Sequence, residues 1–122
     1  MADVDTNNII SINRGDTFYI PLFINAGWDL KPIRYKITDK DKIYLGVMEP
    51  NQPFEDAIIK KAYTLDSVNK HGDVVICLDH EDTRCLMPGK YFYQIKGTIY
   101  NQKLEKYEVV TIIQKTEFWI EE

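Results

Sequence analysis

Cys77, His71 and His80 are the side chains of this chain with the most to offer nucleophilic or proton-transfer chemistry. The acidic runs Asp39-Lys40-Asp41 and Asp79-His80-Glu81-Asp82 are the ones that could hold a hard cation. A catalytic nucleophile needs a base within hydrogen-bond reach, and neither a Ser nor a Cys stands in a nucleophile-elbow context. His71 precedes Gly72 in a turn, and His80 lies inside an acidic loop. Cys77 falls within an apolar run of β character, where a thiol is a small hydrophobe more often than a reagent. Cys77 and Cys85 have no CxxC partner and no His at zinc spacing, and two cysteines make no disulfide framework, so both are expected reduced and unbonded. Neither acidic run continues into the EF-hand pattern, so both are expected to be solvated turns. Arg14-Gly15-Asp16 spells an adhesive tripeptide, but a glycine turn feeding a strand, capped by Asp16, accounts for it. No catalytic, cofactor-binding or metal-binding residue is therefore assigned, no cofactor is expected, and the chain is expected not to be an enzyme.

The elements that carry these residues repeat with a period of two. From Asp16 to Ile24, Phe18, Ile20, Leu22 and Ile24 alternate with Thr17, Tyr19, Pro21 and Phe23, the pattern of a half-buried strand. A short strand over Ile9 to Asn13 precedes it. Further strands are predicted at Ile33 to Ile37, Lys42 to Glu49, Ala57 to Tyr63 and Asp73 to Asp79. Pro50-Asn51-Gln52-Pro53 stops the second of these, because proline cannot continue a central strand. Thr64 to Gly72 has room for one helical turn. Lys90 to Tyr100 and Lys106 to Gln114 read as a hairpin with Asn101 to Glu105 as its loop, and Thr116 to Ile120 extends its second strand. Seven to eight short strands without a long helical period predict an all-β domain, an immunoglobulin-like sandwich of antiparallel strands spanning residues 1–122.

Bulk properties narrow the partners. The net charge of −4 comes from interspersed acids and bases, without the basic face that phosphates require, so no nucleic-acid partner is expected. No apolar run approaches a membrane span, and no membrane contact is expected. The first residues, Met1 to Asp5, lack the basic and apolar regions of a signal peptide, which predicts synthesis and folding in a cytoplasm.

The most specific stretch runs from Asp82 to Ile95. Leu86-Met87-Pro88-Gly89-Lys90-Tyr91-Phe92-Tyr93 fits the corner between the penultimate two strands of an immunoglobulin-like domain, where a tyrosine hydroxyl bonds back to nearby backbone. Leu86 is expected to plug the base of the core, Pro88 and Gly89 to make the turn, and Tyr91 to be the corner tyrosine, bonded near Asp82 to Cys85. Tyr93 stands where antibody domains carry their second cysteine.

With these residues in order, the chain resembles small immunoglobulin-like structural proteins of tailed bacteriophages and prophages, akin to the N-terminal domain of baseplate upper proteins. The resemblance runs through Ile12 to Phe18, Trp28-Asp29-Leu30, Asp41 to Pro50, Gly72 to Ile76, Asp82-Thr83 ahead of the corner, and Lys115 to Phe118. It implies a non-enzymatic virion component of tail, baseplate, neck or capsid exterior, assembled in the host bacterial cytoplasm. Its implied partners are other virion proteins and copies of itself.

The aromatics give this expectation a surface. If Phe18, Ile20, Tyr91, Tyr93 and Ile95 fill the core, alternation sends Tyr19, Phe23 and Phe92 to the opposite face. Tyr44, Met48, Tyr100 and Trp119 are candidates to join them at an interface with another chain. The competing expectation is that the long Thr38 to Tyr63 segment folds over that face and covers it from within. A second reading of function is a glycan- or host-surface-binding module, with Trp28 beside Asp29 as the sugar platform.

Overall fold

The structure, a computed structural model, describes residues 3–4, 7–22 and 36–122. Eight strands are present among them: β1 Asp3–Val4, β2 Ile10–Asn13, β3 Phe18–Leu22, β4 Lys42–Met48, β5 Ile59–Tyr63, β6 Val74–Leu78, β7 Gly89–Asn101 and β8 Lys106–Glu121. One five-residue helix, α1 His80–Arg84, and two short 3₁₀ turns at Phe54–Asp56 and Leu65–Ser67 complete the described elements. The fold is all-β, as the two-residue period requires.

A six-stranded sheet runs β1-β2-β8-β7-β4-β5, and β3 pairs with β6 in a second sheet of two strands. The strands are antiparallel with one exception. β2 runs parallel to β8, setting Ile10 beside Phe118 and Asn13 beside Glu121. The all-antiparallel expectation fails there, because strand direction depends on how the chain returns and not on residue alternation. The Ile33 to Ile37 strand and the end of the Phe18 to Ile24 run fall largely outside the described residues.

One core joins both sheets. Phe18, Leu22, Val74, Ile76 and Leu78 from the small sheet cluster with Ile12, Ile43, Leu45, Val47, Tyr93, Ile95, Phe118 and Ile120 from the large one. Tyr93 and Phe118 meet edge to face with centroids 6.2 Å apart. On β5, Tyr63 closes one side: its hydroxyl donates to the carbonyl of Cys77 at 2.8 Å and accepts from the Cys77 amide at 3.1 Å. Burial raises the Tyr63 hydroxyl to about 12, so it stays protonated and keeps both bonds.

Polar anchors fix the loops at both ends. The buried Asp41 carboxylate accepts from the Thr38 amide at 2.8 Å and the Tyr100 amide at 2.9 Å, tying the approach to β4 to the β7–β8 hairpin. At the other end the fully buried Thr83 hydroxyl accepts from the Gly15 amide at 3.1 Å and donates to the Asp16 carbonyl at 2.8 Å.

Candidate assembly surface

The corner forms much as its residues suggest. Leu86 is buried, Pro88 is exposed, and Gly89 opens β7 at φ 149°, a conformation that favours glycine. Tyr91 is buried with its hydroxyl donating to the carbonyl of Met87 at 2.8 Å. The acceptor therefore lies four residues upstream of the ring, and not within Asp82 to Cys85 as expected. Asp79 to Arg84 is the reason. This stretch winds into α1, and carbonyls at its end already have donors: that of Thr83 accepts from the Leu86 amide at 3.1 Å and that of Arg84 from the Arg14 guanidinium at 3.0 Å.

The acidic run is thus a helical turn rather than an open loop. The Asp79 amide donates to the Asp82 carboxylate at 3.0 Å, and Lys61 pairs with the same carboxylate at 2.9 Å. Among the described residues no cluster of three His, Cys, Asp or Glu side chains gathers at metal-binding distance. Arg14-Gly15-Asp16 is a turn with Gly15 at φ 89°. The Arg14 guanidinium is spent on the Arg84 carbonyl at 3.0 Å, which holds the turn against α1. Cys77 and Cys85 are free thiols, Cys77 partly buried and Cys85 exposed. Burial first, and the nearby Asp79 carboxylate second, push the Cys77 thiol up, away from the reactive thiolate.

The outer face of the large sheet, turned away from the core, holds most of the expected interface residues. In register across it lie Trp119 beside Lys90, Phe92 between Glu117 and Met48, and Tyr44 between Lys96 and Ala62. Part of this face is covered from within. Phe54 sits so closely over Gly46 that an added Cβ would come within 2.7 Å of its ring, and Ala57 lies next to it. Met48, two residues along the same face, is fully buried, so its place among exposed interface residues is withdrawn. The cover belongs to the Thr38 to Tyr63 segment, as the competing expectation has it.

Lysines dress much of the remainder. Lys90 and Lys115 each stand 5.3 Å from the Phe92 ring, Lys90 5.7 Å from Trp119, Lys96 4.9 Å from Phe54 and Lys40 4.2 Å from Tyr100. In each case it is the ammonium group that lies over the ring, the geometry of a cation–π contact. Lys115 also donates to the Gln52 carbonyl at 3.1 Å, pinning the covering segment. Phe92, Tyr44 and Tyr100 are half-buried.

Tyr19 is well exposed, but it projects from β3 beside Cys77, on the small sheet and apart from this face. Phe23, Trp28 and Asp29 lie outside the described residues. The interface candidates therefore do not form one surface.

Among the described residues, further large apolar side chains are exposed beside Tyr100. At the far end of the β7–β8 hairpin, Leu104, Tyr107 and Val109 are 58, 56 and 78% exposed. Tyr100 and Tyr107 meet there edge to face, centroids 5.1 Å apart. The available signal was the unbroken β-former run Val109-Val110-Thr111-Ile112-Ile113, longer than a hairpin end needs.

Compared with protein-family models, with curated proteins and with solved structures, the chain gives no match.

Proposed function

We propose that this chain is a non-enzymatic structural component of a tailed-bacteriophage virion, an immunoglobulin-like module of tail, baseplate, neck or capsid exterior. It works by protein–protein assembly within the host bacterial cytoplasm. The ordered resemblance from Ile12 to Phe118 supplies the class. The observation that supports assembly is the hairpin end, where Leu104, Tyr107 and Val109 are each more than half exposed. Isolated apolar residues on a surface need no explanation, but several exposed on one hairpin end favour burial against a protein.

Mass spectrometry of virions purified from a lysate that carries the gene is the direct test. The expected result is the chain in fixed ratio to the other virion proteins through density-gradient purification. Its loss from the particles during purification, with recovery only from the soluble lysate, would count against the reading.

A further inference from the structure

An exposed sheet edge is a row of unsatisfied backbone donors and acceptors that invites another strand. Three strands of this molecule carry blocking features. β5 bears Lys60 and Lys61, β3 bears Pro21 with no N–H to offer, and β1 is two residues long. β8 differs. β7 pairs along one side of it from Lys106 to Ile120, with bulges beyond Thr111, whereas β2 occupies the other only from Phe118 to Glu121. Among the described residues, the edge from Lys106 to Thr111 has no strand beside it. These six residues pair with β7 in unbroken register, and the bulges come only beyond Thr111. Within Tyr107 to Thr111 the one charged residue is Glu108, whose carboxylate accepts from the Asn101 side chain at 3.1 Å.

We infer that this edge pairs with the same edge of a second copy, β8 antiparallel to β8 about a two-fold axis at Val109. The inference rests on the assembly reading and names the copy-to-copy contact within it. A two-fold contact requires a patch complementary to itself, and the sequence here meets that condition. Centred on Val109, Tyr107 falls opposite Thr111 of the second copy, Lys106 opposite Ile112 and Glu108 opposite Val110. No like charges are opposed. On the outer face the contact is Val109 against Val109, flanked by two aromatic to β-branched pairs, a favoured cross-strand combination. Burial of Val109 and Tyr107 accompanies the new backbone bonds, and the two hairpin loops point away from each other.

Sedimentation equilibrium of the full chain, with circular dichroism as the control for folding, decides it. The wild-type chain is expected to form a dimer that dissociates on dilution. Val109→Lys and Val109→Glu each place like charges face to face at the axis and should weaken the dimer at least about tenfold. An equimolar mixture of the two variants should restore it, because Lys then faces Glu. Ala62→Lys, an exposed site on the β5 edge, should leave dimerisation unchanged. A wild-type monomer at all concentrations, a dimer that survives in both Val109 variants, or a mixture that fails to recover overturns the pairing. A monomer that nevertheless co-purifies with virions would overturn this contact alone. A dimer lost from virions would instead overturn the virion role and leave the contact standing.

Discussion

The β7–β8 ribbon has two ends built from the same kind of sequence. At its base, Tyr91 faces Phe118 and Gly89 faces Ile120, with β2 on the far side of β8 and the small sheet behind. At its tip, Tyr100 faces Tyr107 and Thr98 faces Val109, with neither β2 nor the small sheet beside them among the described residues. Phe118 is 1% exposed and Val109 is 78% exposed. Alternation and β-propensity are alike at the two ends. Only the layers stacked around them differ, so the base holds the fold together and the tip stays exposed.

The comparison breaks most visibly at the base. Phe118→Ala removes a buried ring that packs edge to face on Tyr93, and should cost about 3–5 kcal/mol in thermal or denaturant unfolding. A loss no larger than that of a tip substitution would mean that the base is not the anchor.

Next in size is Gly46→Ala. A Cβ there meets the Phe54 ring at 2.7 Å, so the covering segment must shift, at a cost of about 1–3 kcal/mol. Phe54→Ala in the same background should recover part of that loss. If it recovers none, the cover is not what confines Gly46.

Tyr91→Phe keeps the corner ring and deletes the bond to the Met87 carbonyl, for an expected loss of about 1–3 kcal/mol. The unfolding midpoint in urea measures it against the wild-type chain.

Tyr63 sharpens the comparison through pH. Its hydroxyl titrates at about 12 in the folded chain and near its ordinary value of 10.0 when unfolded. The unfolded state therefore loses its proton first. The contribution of Tyr63 is complete below pH 10 and falls away as the pH rises from about 10 to about 12. Cys77, also raised, adds in the same direction from lower pH. Tyr63→Phe should flatten the alkaline part of the stability profile between pH 10 and 12, leaving the Cys77 contribution. An unchanged slope would show that the hydroxyl is not held as described.

The smallest effect belongs to the tip. Val109→Lys, measured in the monomer, should change stability by less than about 0.5 kcal/mol, because the side chain has almost nothing to lose. A larger loss would place the tip within the core's cooperative unit.

Local chemistry carried much of this structure in plain view. The apolar run from Val74 to Leu78 and the alternation from Tyr91 to Ile95 mark strands, and Val74, Ile76 and Leu78 in the one and Tyr91, Tyr93 and Ile95 in the other are buried. Thr64 begins the short helical turn that its polar segment allowed, and Asn101 to Glu105 closes the hairpin. Leu86, Gly89 and Tyr91 identified the corner because its turn needs a glycine and its ring a buried place. These features depend on residues close along the chain, so the pattern of side chains is enough to specify them.

What lay beyond the sequence was decided by elements far apart. Alternation shows that Met48 and Val109 share the outer-face pattern, but not that Phe54 and its neighbours cover one region and leave the other open. Alternation identifies β2 as a strand, yet it is indifferent to direction, and β2 lies parallel to β8. The Tyr91 hydroxyl had to find a carbonyl nearby; it finds Met87, while the carbonyls of Thr83 and Arg84 upstream accept from the Leu86 amide and the Arg14 guanidinium. A strand's two faces are set by its residues, but solvent reaches a face or an edge only where no other part of the chain has come to rest. That is a property of the assembled layers, and it separates the buried base of the β7–β8 ribbon from its open tip.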